Sequence, residues 1–349
     1  MKRLIKMPSI EQFRNVVKNI NQMSKFDGYD VNGEPIIDKT RKAPILIATG
    51  TVKLHGTNAA VCYNDIDGMW FQSKENIITP QVDNAGFAFF GTQNEEYFIE
   101  LIKRLPGVDA SKNTITIYGE WAGKGIQKGV GISQIEKSFF IFGIKISPIE
   151  NDDTAAFWLK DYILPLTPTK RVYDIRDFKC FEIKIDFNNP LLSQNAMVDM
   201  VVEVENECPV AKVFNVTGIG EGIVFTVEFN NTTLRWKMKG EKHAGASKVK
   251  VAKKVDDVKL QLVIDIIDKV TPEWRLEQMY QETFDTLNGG VGDIKGMGDF
   301  LRKVVNDIMK EEGELLAENN LIPKDINSGV SKVAREWMIN RLNEESGLK

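Results

Sequence analysis

A chain of 349 residues has room for two domains, each with its own core. Its composition, 42% hydrophobic and 27% charged with a net charge of -4, is that of an ordinary globular protein and excludes a nucleic-acid binder that works by overall positive charge. Two histidines, His55 and His243, and three scattered cysteines, Cys62, Cys180 and Cys208, leave no basis for a histidine-built metal site, a Ser-His-Asp triad, a zinc spacing or a disulfide framework. No apolar run approaches the length of a membrane span. The basic N-terminus, Met1–Pro8, lacks the apolar stretch of a secretory signal. A cytoplasmic monomer in a reducing compartment, with no membrane partner, is the expectation.

In chain order, the first informative segment is an extended run, Ile45, Leu46, Ile47 and Val52, leading through Thr51-Val-Lys-Leu-His-Gly-Thr-Asn58. Alternate residues of a strand share a face, so Lys53 and His55 point one way and Val52 and Leu54 the other. A single polar residue on a strand is ordinarily just solvated. Lys53 is set apart by four segments further along the chain: Tyr118-Gly-Glu-Trp121, Phe140-Ile-Phe-Gly143, Glu221-Gly-Ile-Val224 and Lys237-Met-Lys239. A nucleophilic lysine, two separated acids, an aromatic platform and a terminal lysine pair are together what covalent nucleotidyl transfer requires.

Short apolar or alternating runs predict strands at Ala59–Tyr63, Met69–Gln72, Thr114–Tyr118, Phe139–Ile146 and Val172–Tyr173, with helices at Glu95–Leu105 and Thr154–Ile163. Glu221–Phe229, the pair Asn230-Asn231 and Thr232–Lys239 predict a β-hairpin. In its second strand Leu234, Trp236 and Met238 take one face and Arg235, Lys237 and Lys239 the other. From about Val255 the periodicity becomes helical, over Val258–Val270, Pro272–Leu287, Phe300–Ala317 and Ile326–Leu342. Thr271-Pro272 predicts an N-cap followed by Pro at the first helical position. The stretch Gly240–Lys254 reads as a basic linker, because Arg235 to Lys254 carries eight basic residues against Glu241 alone. The expected organisation is α+β: residues 1–243 as a domain of antiparallel sheets flanked by helices, then residues 244–349 as a smaller all-α domain. The Gly-rich run Gly119–Gly131 fits neither a dinucleotide fingerprint nor a P-loop. The acidic pairs Asp152-Asp153, Asp256-Asp257 and Glu311-Glu312 read as solvated charge.

The ordered set resembles the covalent nucleotidyltransferase superfamily of polynucleotide ligases and capping enzymes. Lys53-Leu-His-Gly56 matches its motif I, Ile117–Gln127 motif III, Phe139–Ile144 motif IIIa, Glu221–Phe225 motif IV and Trp236–Lys239 motif V. The extended form Lys-x-His-Gly-Thr-Asn is similar to the RNA ligase 2 family, which also contains the kinetoplastid RNA-editing ligases. That resemblance implies an adenylyltransferase fold and an ATP-dependent RNA ligase, sealing 3′-hydroxyl and 5′-phosphate ends in nicked or bridged duplex RNA or an RNA/DNA hybrid. It implies ATP as lysyl-AMP, and Mg²⁺ or Mn²⁺.

By the same resemblance Lys53 is the nucleophile, and Lys237 and Lys239 contact the α-phosphate. Glu120 binds the ribose hydroxyls, Phe142 stacks on adenine with Phe140 as the alternative, and Glu221 holds the metal. His55 and Asn58 serve the later steps on the nucleic-acid end. Lys74 stands nearest to where the family carries an Arg, and Gly143 replaces its motif IIIa Asp. Two alternatives stay open: a GTP-dependent capping guanylyltransferase, whose family carries Lys-x-Asp-Gly, and a catalytically silent RNA-end-binding protein.

Overall fold

The computed structural model describes residues 2–7, 10–38, 40–150, 155–164, 170–243, 256–286 and 289–346. Two compact units emerge. One comprises Met1–Lys18, Leu46–Ile185 and Ala196–Lys253; the other comprises Asn19–Ile45, Asp186–Asn195 and Lys254–Lys349. The acidic pair Asp152-Asp153 and residues 244–254 of the expected linker lie outside the described residues.

The first unit is built on two sheets. In the larger, neighbouring strands run in the order Val172–Asp174, Ser138–Pro148, Asn113–Ala122, Thr57–Asn64, Gly68–Ser73 and Ile77–Ile78, with Phe157–Leu159 also on Ser138–Pro148. The Val172–Asp174 pairing is parallel and the rest are antiparallel. Side chains alternate across this sheet. Ala59 and Val61 join Ile115 and Ile117 in a core completed by the helices Phe87–Gln93 and Glu95–Lys103. Ala60, Cys62, Trp70 and Tyr118 face the other way and pack with Ile5. An N-terminal strap covers this second face: Gln72 exchanges two hydrogen bonds with the Ile5 backbone, and the Tyr118 hydroxyl donates to the Ile5 carbonyl at 2.8 Å.

The strand Ser138–Pro148 carries a β-bulge. Ile141 opposes Gly119 and Gly143 opposes Tyr118, so Phe142 is the extra residue. The insertion reverses the alternation: Phe139 and Ile141 enter the helix-side core before it, and Ile144 and Ile146 after it.

The smaller sheet runs in the order Cys180–Asp186, Ile45–Lys53, Gly222–Phe229 and Thr232–Lys239. The hairpin forms as its sequence predicts. Asn230 and Asn231 take φ of 47° and 58°, the two positive values that a tight hairpin turn of the type I′ class needs. Trp236 is fully buried, stacked on Phe225 at 5.3 Å and packed on Phe13 at 5.2 Å.

Three expectations are corrected. The helix expected over Thr154–Ile163 contains instead the strand Phe157–Leu159, because this aromatic, β-prone run finds a sheet edge, with Trp158 opposite Lys145. Phe300–Ala317 is two helices, Met297–Glu311 and Gly313–Glu318. Pro272 is the N-cap of Glu273–Phe284, so the proline precedes the first helical position.

In the second unit, the helices Asp257–Val270, Glu273–Phe284, Met297–Glu311, Gly313–Glu318 and Pro323–Glu345 share one core around Ile266, Tyr280, Phe300, Val304, Val330 and Met338. Arg275 is buried there with Asp307 at 3.1 Å and Glu312 at 2.7 Å, the pairing that a buried cation needs. No helix among the described residues is long and apolar enough to cross a membrane.

Candidate active site

Backbone pairing assembles the centre of the site from three distant segments. Lys53, at the end of its strand, lies opposite Gly222, and Gly222 lies opposite Lys239. Glu221, immediately before Gly222, therefore meets both lysines. Lys53 Nζ lies 2.5 Å from Glu221 Oε2, and Lys239 Nζ lies 2.7 Å from Oε1. His55 Nδ1 is 3.3 Å from the same Oε2, so the alternation that puts Lys53 and His55 on one face brings both to one carboxylate. Gly222 itself has φ of 151°, and a Cβ would stand 2.1 Å from the Met238 carbonyl oxygen. Only glycine fits at this crossing.

Glu221 is 2% exposed. Burial pushes its carboxyl upward, but the Lys53 charge and the hydrogen bond from Lys239 outweigh it and hold the group below the usual range. Lys237 is exposed, and partial desolvation lowers its pKa, reinforced by the charges of Lys53 and Lys239 and, more weakly, of Lys74. Lys74 is exposed beside Glu75 at 3.7 Å, and its charge reaches Lys237.

Glu120 approaches from the larger sheet, where it pairs with Asn58 on one side and Phe140 on the other. The Gly56 N–H donates to Glu120 Oε1 at 2.9 Å. A Cβ on Gly56 would stand 2.4 Å from the Trp121 carbonyl oxygen, which explains the glycine of this turn by close approach. Burial pushes the Glu120 carboxyl up to about 7, against the Lys53 charge and the Gly56 N–H, with the negative charge of Glu221 adding to the rise.

Lys53, Asn58 and Glu120 open onto a cavity of about 110 Å³ whose remaining walls include Met7, Ile10, Phe140, Phe142, Ile175 and Val224. Both aromatic candidates are present. Phe140 is fully buried and stacked on Tyr173 at 5.4 Å; Phe142, the bulge residue, is half-buried against the Tyr118 cluster. Mostly apolar walls with a few convergent polar groups are the usual form of a small-molecule site. Sequence reasoning missed Met7, Ile10, Ile175, Thr226 and Arg235, which also line the cavity. None belongs to a recognised motif position, and for Arg235 the strand alternation with Lys237 and Lys239 was the available signal.

Gly143 has a local reason. A Cβ at this position would meet the Trp158 ring at 2.8 Å, so the glycine makes room for the indole. Among the described residues no group of three or more His, Cys, Asp or Glu converges as a metal cage. The buried carboxylate of Glu221 fits a hard cation such as Mg²⁺, which commonly binds through one or two carboxylates together with waters and substrate phosphates.

Comparison with known proteins bears on the same site. No curated protein matches the chain. Among solved structures it is similar to a Naegleria gruberi RNA ligase mutant with AMP and Mn, at 17% identity and a TM-score of 0.41 over 68% of this chain and 57% of that one. It is likewise similar to the Naegleria gruberi RNA ligase with PPi, at 16% identity and a TM-score of 0.39 over 67% of this chain and 56% of that one. The chain thus spans somewhat more than half the length of these ligases. The model of the RNA ligase family matches residues 48–249, more than half of this sequence and all of the segments that build the cavity apart from the N-terminal strap, and the protein belongs to that family.

Proposed function

We propose that the protein is an ATP-dependent RNA ligase that joins a 3′-hydroxyl to a 5′-phosphate through a covalent lysyl-AMP. The observation that carries this reading is the ladder-fixed cluster of Lys53, Glu221 and Lys239, whose Lys53 also lines a mostly apolar cavity together with Glu120. A free lysine amine has a pKa near ~10.4, so it must lose its proton before it attacks. Glu221 holds the Lys53 amine in place, and Lys239 brings a second positive charge to the same carboxylate. Lys53 Nζ then attacks the α-phosphorus of ATP. A P–N bond forms, the P–O bond to pyrophosphate breaks, and the amine proton is released to solvent. A terminal 5′-phosphate oxygen of the RNA next displaces Lys53 and carries AMP away, and the 3′-hydroxyl finally displaces AMP to form the phosphodiester.

Positioning and charge neutralisation do most of this work, as is general for phosphoryl transfer. Lys237 and Lys239 neutralise the α-phosphate, Glu120 accepts from the ribose hydroxyls, and Phe142 or Phe140 stacks on the base. Mg²⁺ or Mn²⁺ would be held by Glu221 with the nucleotide phosphates and would supply charge neutralisation. His55, Asn58 and Lys74 face the nucleic-acid end. Residues 1–243 form the adenylyltransferase domain in this proposal, and residues 244–349 hold the nicked or bridged duplex, RNA or RNA/DNA hybrid.

Incubation with α-labelled ATP or GTP and magnesium tests the reading. ATP is expected to leave label on the denatured protein, and Lys53→Ala to abolish it while still sealing a pre-adenylylated 5′ end. Label from GTP alone would make the protein a guanylyltransferase, and no label from either would make it a silent binder.

A further inference from the structure

Arg235 is a half-buried cation, and among the described residues it has no ion pair of the kind that the fold gives to Arg275. Its guanidinium lies over the Trp158 ring at 4.1 Å and lines the cavity that holds Lys53 and Glu120. Glu228 is the carboxylate whose charge favours the guanidinium, and it is itself engaged by Lys160 at 3.0 Å and by the Thr233 hydroxyl at 2.6 Å. Burial accordingly lowers the Arg235 pKa to about 10. Covering a half-buried cation of this kind with a bound molecule is costly unless that ligand supplies acceptors.

Position says which part of a ligand does so. Arg235, Lys237 and Lys239 share a strand face, and Arg235 is four residues from Lys239, about 13 Å along the strand. If the phosphates lie at Lys53 and Lys239, Arg235 stands at the base end. Thr226, its cross-strand partner, also lines the cavity and brings a hydroxyl that can accept as well as donate. We propose that Arg235, seated on Trp158, donates to a ring nitrogen of the adenine base and that Thr226 accepts from the adjacent amino group, so that this pair selects the nucleotide that charges Lys53. A ring-nitrogen acceptor beside an amino donor is a feature of adenine; guanine presents two acceptors on its N7 edge, and on its N1 edge an N–H donor beside a carbonyl acceptor. The proposal rests on the lysyl-AMP reading above.

The test pairs base analogues with Arg235→Met, which keeps an unbranched stem and loses every donor. Initial rates of Lys53 labelling are measured with α-labelled ATP, 1-deaza-ATP and 7-deaza-ATP. In the unaltered protein one deaza analogue is expected to raise KM at least tenfold with little change in kcat. In Arg235→Met the KM for ATP itself rises about as much, and the analogue penalty disappears. Arg235→Lys, which keeps charge but not the fork, is expected to restore part of the discrimination. If the unaltered protein uses both deaza analogues as well as ATP, or if the penalty persists undiminished in Arg235→Met, the proposal is overturned. Absence of label from ATP in the unaltered protein would instead remove the lysyl-AMP reading, and this proposal with it.

Discussion

Glu120→Gln isolates the energetic consequence of burying an acid beside the nucleophile. The Glu120 carboxyl titrates at about 7 in the fold against 4.5 for the ordinary group, and one pKa unit corresponds to about 1.4 kcal/mol. The ionised form therefore costs the fold about 3 kcal/mol. The sign is set by which state binds the proton more tightly. Below 4.5 both states are protonated and the cost is absent; between 4.5 and about 7 the folded state alone keeps the proton, so stability falls as pH rises; above 7 the whole cost is present. Glutamine has nearly the same shape and can still accept from the Gly56 N–H, but it carries no charge. At pH 8 the substitution is expected to raise the melting temperature by roughly 6–12 °C for a unit of this size, and at pH 4.5 to leave it nearly unchanged. Calorimetry of both proteins across pH 4.5 to 8 measures the difference. An equal shift at the two ends would mean that packing, not ionisation, separates Glu from Gln, and the account of Glu120 as a carboxylate whose charge burial disfavours would be abandoned.

Gly56→Ala forces a Cβ against the Trp121 carbonyl oxygen and the Glu120 side chain; the expected cost is about 1–3 kcal/mol of stability, read by urea unfolding, together with loss of labelling. Labelling intact at full stability would show that the turn yields freely. Lys239→Ala removes one of the two amines on Glu221, and Lys237→Ala removes charge from the phosphate side; each is expected to slow labelling by at least tenfold with the melting temperature moved by under about 3 °C. A variant that mainly unfolds would identify a structural lysine. Residues 1–243 alone are expected to label with AMP and to seal nicked duplex poorly, and sealing at the full-length rate would remove the helices from nucleic-acid engagement.

The parts of the molecule that could be read from sequence are those set by local alternation. The hairpin needed only a period of two and the Asn230-Asn231 pair, and the common face of Lys53 and His55 came from the same period. Features set by long-range fit gave no local sign. The strand Phe157–Leu159 exists because a sheet edge is there to receive it. The bulge at Phe142 falls beside Gly143 and opposite Gly119, glycines inside strand runs that can mark a bulge but that alternation alone does not place, and it decides which residues of Ser138–Pro148 enter the core. The N-terminal strap, with Met7 on the cavity and Ile5 on Gln72, and the grouping of Asn19–Ile45 with the helical unit are associations across the chain that periodicity cannot register. Arg235 was visible as one cation on a basic strand; its partial burial and its seat on Trp158 required the third dimension.

The union of Lys53 with Glu221 spans 168 positions of the chain, and it has a consequence in time. Loop closure over such a span is slow, and contacts of this separation tend to form late in folding. A chain emerging from the ribosome exposes Lys53 long before the strands Gly222–Phe229 and Thr232–Lys239 exist to flank it. During that interval the lysine is an ordinary solvated amine with no more reactivity than its neighbours. Competence to consume nucleotide would then appear abruptly, when the central strand of the smaller sheet docks, and a partly made or truncated chain ending before Glu221 would be inert. The same geometry ties self-labelling to completed folding, so in a refolding experiment the appearance of label would time the closing of that sheet.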